Sequence, residues 1–156
     1  MKLQIFASAA LVALAQGAFA AETAYDFVAC TSGKRTALDS NPEFAAYATE
    51  SWGVVASSTT KIWENASTHC MGYERVVAGK PYGKGVCKWT EGGGDSGIGE
   101  YEYSHTGAKW SWLSGTGKLK GISGGGTFQQ VFRAKQVDPA TGQGCRRDWG
   151  KFSLPD

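Results

Sequence analysis

Apolar and polar residues alternate in short stretches along most of the chain after residue 20, and a period of two is typical of β-strands. The first stretch predicts a strand over residues 25–30, with Tyr25, Phe27 and Ala29 on one face. The clearest alternation covers residues 97–103, where glycine and tyrosine occupy one face and isoleucine and glutamate the other. Because tyrosine has a large apolar area, we expect its face to point inward.

Turn-forming residues separate these stretches, since the chain has 22 glycines against four prolines. The glycine cluster at residues 92–95 predicts a reversal between strands. Residues 31–45 predict a loop with a short helical turn over residues 43–48, and residues 79–83 predict a turn. The remaining predicted strands are residues 52–56, 67–77, 86–90, the segment of Trp110 and Trp112, 126–133 and 145–154.

These stretches predict about eight strands and no helix of ordinary length, so the expected fold class is all-β. Strand edges in a β-domain of this size have to be closed or covered. A closed antiparallel barrel of about eight strands is therefore the first choice of fold, and a β-sandwich is the second.

Residues 1–20 have the composition of a secretory signal peptide. Lys2 precedes an apolar run over residues 3–15, and Ala-Phe-Ala at residues 18–20 forms a small-x-small cleavage site. The run is too short to span a membrane, which takes about 20 apolar residues. We expect cleavage after this site, one β-domain over residues 21–156 and a periplasmic or secreted location.

The four cysteines are an even number in a chain expected to reach an oxidising compartment, so they predict two disulfides. If the chain closes into a barrel, Cys30 in the first strand and Cys145 in the last become neighbours. Cys70 and Cys87 then flank one hairpin-like segment, and this pairing is favoured over the other connectivities. A zinc site at His69 and Cys70 is the competing interpretation, but the chain has no Cys-x-x-Cys pair to complete it. We therefore predict no metal and no cofactor.

Charge limits the classes of partner. The chain has 16 Lys and Arg and 14 Asp and Glu residues, which are scattered and not clustered. Nucleic acids and anionic membranes both require a concentrated basic surface, so neither is predicted as a partner. No oligomeric state follows from the sequence.

A glycine-rich run over residues 115–124, Gly-Thr-Gly-Lys-Leu-Lys-Gly-Ile-Ser-Gly, lacks the spacing of a nucleotide-binding loop. It resembles a stretch of the allene oxide cyclase and dirigent-type β-barrels, and the chain resembles small secreted proteobacterial proteins of unknown function more closely still. Further motifs carrying the resemblance are His-Cys-Met-Gly at 69–72, Gly-Lys-Gly-Val-Cys at 83–87, Trp110 with Trp112, and Gly-Cys at 144–145. The resemblance implies an eight-stranded antiparallel barrel with a central cavity. It implies no activity, because no catalytic residue of those families is matched by a motif.

Few side chains are suited to acid–base catalysis, since the chain has two histidines. His69 is one candidate, as a general base. Glu102 is the other, because it lies two residues from Glu100, and two enclosed carboxylates would raise the pKa of one of them. A solvent-exposed position is the simpler expectation for both candidates.

The leading functional hypothesis is a non-enzymatic barrel that binds a small, largely apolar ligand in its interior. The aromatic side chains expected to line this interior are Tyr101, Tyr103, Trp110, Trp112 and Phe128. Side chains alone can also fill a barrel of eight strands, and no ligand would then fit. The alternatives are an isomerase or cyclase that uses a polar cavity residue, and an envelope interaction module that uses exposed loops at residues 31–45 and 79–85.

Overall fold

The protein is an antiparallel β-barrel, described by a computed structural model over residues 21–155. Each strand pairs with the next along the chain and the last strand pairs with the first, so the barrel is closed. This confirms the predicted fold and excludes the sandwich. The predicted signal peptide, residues 1–20, lies outside the described residues. The eight strands are β1 (Glu22–Ser40), β2 (Phe44–Ser58), β3 (Ser67–Val77), β4 (Lys80–Thr90), β5 (Ser96–Ser104), β6 (Gly107–Gly115), β7 (Ser123–Arg133) and β8 (Thr141–Ser153).

The first two strands are longer than the hydrophobic pattern predicts, and the predicted loop over residues 31–45 is wrong. Residues 31–40 continue β1, and a turn at residues 41–43 leads into β2. The helical turn predicted over residues 43–48 is also wrong, because β2 begins at Phe44. Hydrogen bonding to β2 along this segment, and to β8 as far as Lys34, holds this part of β1 extended, although its side chains are mostly polar.

The turn predicted over residues 79–83 is shorter in the structure. Ala78 and Gly79 alone separate β3 from β4, and their φ angles are 48° and 74°. Two successive positive φ angles are typical of a two-residue hairpin turn whose twist matches that of the strands. The rest of the predicted turn is therefore already paired in β4.

One end of the barrel is filled by aromatic side chains and closed by two short 3-10 turns, Lys61–Trp63 and Gly117–Leu119. Each turn inserts one side chain, and Trp63 and Leu119 are 1% and 0% exposed. The aromatic rings that contact Trp63 are Phe27, Trp89, Trp112 and Phe152. These rings are buried away from water, which stabilises the fold, and the closed end therefore contains the hydrophobic core of the barrel.

The glycine-rich run over residues 115–124 belongs to this closure. The backbone N–H of Lys118 donates to Asp95 Oδ2 at 3.0 Å, which fixes the second turn against the β4–β5 connection. Gly117 has a φ of 49°, and a Cβ atom there would overlap Asp95. This run therefore has a structural role at the end of the barrel.

Two disulfides join neighbouring strands of the barrel. Cys30–Cys145 links β1 to β8 across 115 residues of chain, and Cys70–Cys87 links β3 to β4 across 17. The favoured pairing is thus confirmed. The zinc site at His69 and Cys70 is wrong, because the Cys70 sulfur is bonded to Cys87.

Candidate functional site

The end of the barrel opposite the closed end contains a cavity of about 720 Å³. Residues from all eight strands contribute to its wall, and the β5–β6 hairpin tip at residues 104–107 borders its mouth. Small-molecule sites have volumes of about 300–1,000 Å³, so the cavity is large enough for one. The barrel is therefore packed at one end and hollow at the other.

A gap between β6 and β7 opens the cavity to the side. These strands pair only where Lys109–Ser111 meets residues 125–127. Beyond Thr127, β7 continues to Arg133 with β8 as its pairing partner. The unpaired edge of β7 and the hairpin tip both border the cavity, so a ligand can enter between them.

Three aromatic side chains form one wall of the cavity. Tyr101 stacks on Tyr103 with ring centroids 6.3 Å apart, and Phe128 meets Tyr101 edge to face at 6.5 Å. Trp110 and Trp112, which were also expected to line the interior, instead pack in the core with 7% exposure each. Of the five aromatic residues predicted to line the interior, Tyr101, Tyr103 and Phe128 therefore border this cavity, and Trp149 borders it as well.

Glycines on β4 make room for the two tyrosine rings. Gly83 and Gly85 lie directly across the sheet from Tyr103 and Tyr101. A Cβ atom added at either glycine would overlap the facing tyrosine. Each ring can therefore lie close to the β4 backbone and leave the lumen beside it empty. The Gly-Lys-Gly-Val-Cys motif at residues 83–87 thus shapes the cavity.

Glu74 supplies a carboxylate to the cavity wall from the inner face of β3. It accepts hydrogen bonds from Arg35 Nη1 at 2.7 Å and from the Tyr103 hydroxyl at 2.5 Å. Burial raises the pKa of Tyr103 above its ordinary value, and the hydrogen bond to Glu74 raises it further. The phenol therefore remains protonated, and Arg35 balances the charge of Glu74.

Arg146 and Asp148 lie on the inner face of β8, at the boundary between cavity and core. Arg146 Nε donates to Asp148 Oδ2 at 3.1 Å, and its guanidinium carbon lies 4.9 Å from the centre of the Phe128 ring. Asp148 is 0% exposed, and its Oδ1 has no hydrogen-bond partner among the described residues. Burial raises the pKa of Asp148 to about 6, against the lowering effect of Arg146.

The outer part of the cavity is polar. An adjoining recess of about 200 Å³ is bounded by Arg35 and Thr49. Hydroxyl, amide and charged groups line both spaces, so the lining is mixed and not uniformly apolar. The residues that line both the cavity and the recess are Thr31, Ser51, Glu74, Gln130 and Arg133.

Neither candidate for acid–base chemistry faces the cavity. His69 lies on the outer face of β3, where its ring stacks on Trp52 with centroids 5.2 Å apart. Glu102 lies on the outer face of β5, with its Oε1 3.9 Å from Lys109 Nζ. Side chains alternate along a strand, and the chain neighbours of both residues take the inner face.

The outer face of β2–β4 carries exposed apolar side chains. Trp52, Met71 and Val86 are 46%, 56% and 47% exposed, and the last two are cross-strand neighbours. An exposed apolar patch is what an interaction module would show. The segments expected to serve that role as loops, residues 31–45 and 79–85, are mostly strand.

The hydrophobic pattern does not predict Glu74 or Arg146 as cavity residues, because charged side chains usually mark the solvent face of a strand. The sequence spacing between these residues and buried residues of the same strand does indicate an inward-facing position. Glu74 lies four residues after Cys70, and an even spacing along a strand places both on one face. Arg146 likewise lies an even number of residues before the buried Phe152.

No protein-family model matches the chain, and no curated protein matches it at a significant level. Within residues 21–155, the structure has no helix both long and apolar enough to cross a membrane. The same residues contain no group of three or more His, Cys, Asp or Glu side chains placed to hold a metal ion. The geometry of the cavity is therefore the basis for inferring a function.

Proposed function

We propose that the protein is an exported barrel that binds one small, largely apolar or aromatic molecule in the hollow end of its lumen. The observation that carries this proposal is the unequal filling of the barrel, with a packed core at one end and a cavity of about 720 Å³ at the other. The volume of the hollow end lies within the range of small-molecule sites.

The lining supports an apolar or aromatic body for the ligand. Phe128 and the ring of Tyr101 offer flat apolar surface, and aromatic groups stack favourably on such surface. The gap between β6 and β7 provides an entrance. Polar groups at the mouth would orient the ligand, as a few convergent polar groups do in most small-molecule sites.

Two disulfides support the export that the signal peptide predicts, because disulfides persist in oxidising compartments. A periplasmic or secreted location is therefore part of the proposal. The resemblance to allene oxide cyclase and dirigent-type barrels stays a prediction, since a shared fold does not define a family or a function.

The test is to fill the cavity with a side chain and measure binding of N-phenyl-1-naphthylamine, a neutral aromatic probe that fluoresces in apolar surroundings. Ala108 borders the cavity, and Ala108→Trp would occupy the space beside Tyr103. Lys109→Trp is the matched control, because Lys109 faces outward on the same strand. Near-ultraviolet circular dichroism and thermal unfolding check that both variants fold.

We expect Ala108→Trp to weaken probe binding by about tenfold or more, since the lost contact area is worth at least 1.4 kcal/mol. Lys109→Trp should bind as the wild-type protein does. The proposal is wrong if the folded wild-type protein does not bind the probe, or if both variants bind it equally well.

Catalysis of a rearrangement in the cavity is the second candidate function, and Glu74 is the observation that favours it. Its carboxylate is an ionisable group on the cavity wall and is already hydrogen-bonded to the Tyr103 hydroxyl. General acid–base catalysis requires such a group within reach of the substrate. The wild-type protein and Glu74→Gln are each purified from the host, and the small molecules bound to them are extracted and separated by chromatography. If Glu74 catalyses a conversion, the variant should carry the unconverted molecule and the wild-type protein its product. Identical retained molecules would favour binding without conversion.

A further inference from the structure

Arg146 is a cation on the inner wall of the barrel whose hydrogen-bonding capacity is only partly used. Its side chain is 18% exposed and borders the cavity. The hydrogen bonds of residues 21–155 engage its Nε, with Asp148, and leave Nη1 and Nη2 without a protein acceptor. The buried side-chain atoms that lack a hydrogen-bond partner belong to Tyr25, Trp63, Trp110, Trp112 and Asp148. The Nη atoms of Arg146 are not among them, so these atoms without a partner are accessible to solvent. These N–H groups are therefore available to a ligand in the cavity.

The charges around the cavity do not cancel. Glu74 is already paired with Arg35 at 2.7 Å. Arg133 borders the mouth, and no salt bridge among residues 21–155 involves it. Among the described residues Asp148 alone pairs its carboxylate with Arg146, and Asp148 is not part of the cavity lining. The wall of the cavity therefore has an excess of positive charge.

The position of Arg146 relative to the aromatic wall indicates where a bound ligand would carry an acidic group. Its guanidinium carbon lies 4.9 Å from the centre of the Phe128 ring, and Tyr101 lies beside Phe128. A ligand that covers these rings would bring an attached acidic group to the Nη atoms. Guanidinium N–H groups bind carboxylate and sulfonate oxygens strongly, because both partners are charged.

We propose that the cavity selects organic anions, with an apolar or aromatic body on Phe128 and Tyr101 and a carboxylate or sulfonate group on the Nη atoms of Arg146. This inference rests on the proposed function and adds the charge of the ligand to it. Asp148 then acts as a positioning residue, since its hydrogen bond to Nε directs the guanidinium toward the cavity.

The test compares two probes that share one aromatic framework. 1-Anilinonaphthalene-8-sulfonate is N-phenyl-1-naphthylamine with an added sulfonate group, so the difference between their dissociation constants measures the effect of the anionic group. A hydrogen bond to a charged group corresponds to about a tenfold change in affinity or more. We expect the anionic probe to bind wild-type protein about tenfold tighter than the neutral probe at pH 7.5 and low salt.

Arg146→Gln should remove this difference, weakening the anionic probe by about tenfold and the neutral probe by less than about twofold. Arg147→Gln is the matched control, because Arg147 lies on the outer face of β8 and pairs with Asp26. Arg147→Gln should leave both affinities unchanged. If Arg146→Gln does not fold because Asp148 loses its partner, the double variant Arg146→Gln/Asp148→Asn replaces it.

Asp148→Asn provides a second measurement that keeps the arginine. The amide oxygen of asparagine still accepts the hydrogen bond from Nε, so the guanidinium keeps its position. Removing the charge behind Arg146 should therefore tighten binding of the anionic probe at pH 7.5 by a few-fold and leave the neutral probe unchanged. Wild-type protein should gain the same affinity as the pH falls through about 6, where Asp148 becomes protonated. His105 also borders the mouth, so the pH series is repeated with His105→Gln to separate its charge from that of Asp148.

The outcomes separate this inference from the proposed function. If the neutral probe does not bind, or if Ala108→Trp does not weaken its binding, the ligand-binding proposal itself fails. If the neutral probe binds as tightly as the anionic probe, or if Arg146→Gln weakens both equally, the cavity binds ligands but does not select anions, and the inference is overturned.

Discussion

Asp148 is an ionisable residue enclosed within the barrel. Its cross-strand neighbours are Phe27 on β1 and Phe128 on β7, and within the described part of the chain its side chain accepts a hydrogen bond from Arg146 alone. Tyr25 also lies close enough for the negative charge of Asp148 to raise the pKa of its phenol, in addition to the larger effect of burial. Enclosure of a carboxylate without full hydrogen bonding favours its protonated form, which explains a pKa of about 6.

This pKa predicts how stability depends on pH. The native state holds the Asp148 proton more tightly than the unfolded chain, so the free energy of unfolding falls as pH rises from about 4 to about 6. The loss is on the order of 3 kcal/mol and is complete above the native pKa. Asp148→Asn removes this contribution, and urea unfolding of both proteins between pH 4 and pH 7 measures it.

Comparison of the two proteins isolates Asp148 from other carboxylates. Hydrogen bonding to Arg147 lowers the pKa of Asp26, which makes stability rise with pH in a more acidic range in both proteins. The stability of wild-type protein relative to Asp148→Asn should therefore decline steadily toward pH 7. A constant difference across this range would contradict the assigned pKa.

Gly83 provides a second prediction at the residue scale. A Cβ atom there would overlap the ring of Tyr103, so Gly83→Ala should displace the ring toward the lumen and break its hydrogen bond to Glu74. Overpacking of this kind costs roughly 1–3 kcal/mol. Gly142→Ala is the control, because an added Cβ atom at Gly142 meets no atom within 4 Å. Chemical unfolding measures both, and equal stabilities would show that the ring does not depend on the glycine.

At the scale of elements, hydrophobic alternation is a good guide where a strand separates core from solvent and a poor guide elsewhere. Residues 67–77 alternate clearly and form β3 with those bounds. Residues 31–40 lie toward the hollow end of the barrel, where their polar side chains face water or a polar lumen, so no alternation marks them. Their strand character comes from pairing with β2, the next strand along the chain, and as far as Lys34 with β8, which lies far away in sequence.

The cavity residues show the same limit. Tyr101 and Tyr103 are predictable, because their area favours the inner face of an alternating strand. Arg146 and Glu74 are not, because a charge inside a barrel depends on partners that the alternation along a strand does not identify. Asp148 on its own strand and Arg35 on β1 supply those partners. Sequence patterns therefore predict the aromatic wall of the site but not its charged groups.

The strand pair β1–β8 closes the barrel, and the Cys30–Cys145 disulfide fastens it. This bridge spans 115 residues, against 17 for Cys70–Cys87. The chain-entropy estimate is about 5 kcal/mol for the longer loop and about 3 kcal/mol for the shorter one. The variant Cys30→Ser/Cys145→Ser should therefore lower Tm by roughly 10 °C or more, measured by differential scanning calorimetry. An unchanged Tm would contradict a stabilising role for this bridge.

At the scale of the whole molecule, the barrel divides its interior between stability and binding. The connections after β2 and β6 insert Trp63 and Leu119 into the core at the closed end. Within residues 21–155, the connections at the hollow end, residues 41–43, 78–79, 105–106 and 134–140, carry no buried side chain. Both disulfides lie between these ends, where each joins two directly paired residues of neighbouring strands. A well-packed core and covalent links can stabilise a barrel whose other end stays unfilled.

The most direct test of this division is a crystal structure of the protein with N-phenyl-1-naphthylamine bound. We predict electron density for the probe in the lumen, with its rings against Phe128 and Tyr101 and the packing around Trp63 unchanged. Density for the probe on the outer face beside Trp52 and Met71, with protein side chains filling the lumen, would contradict the account.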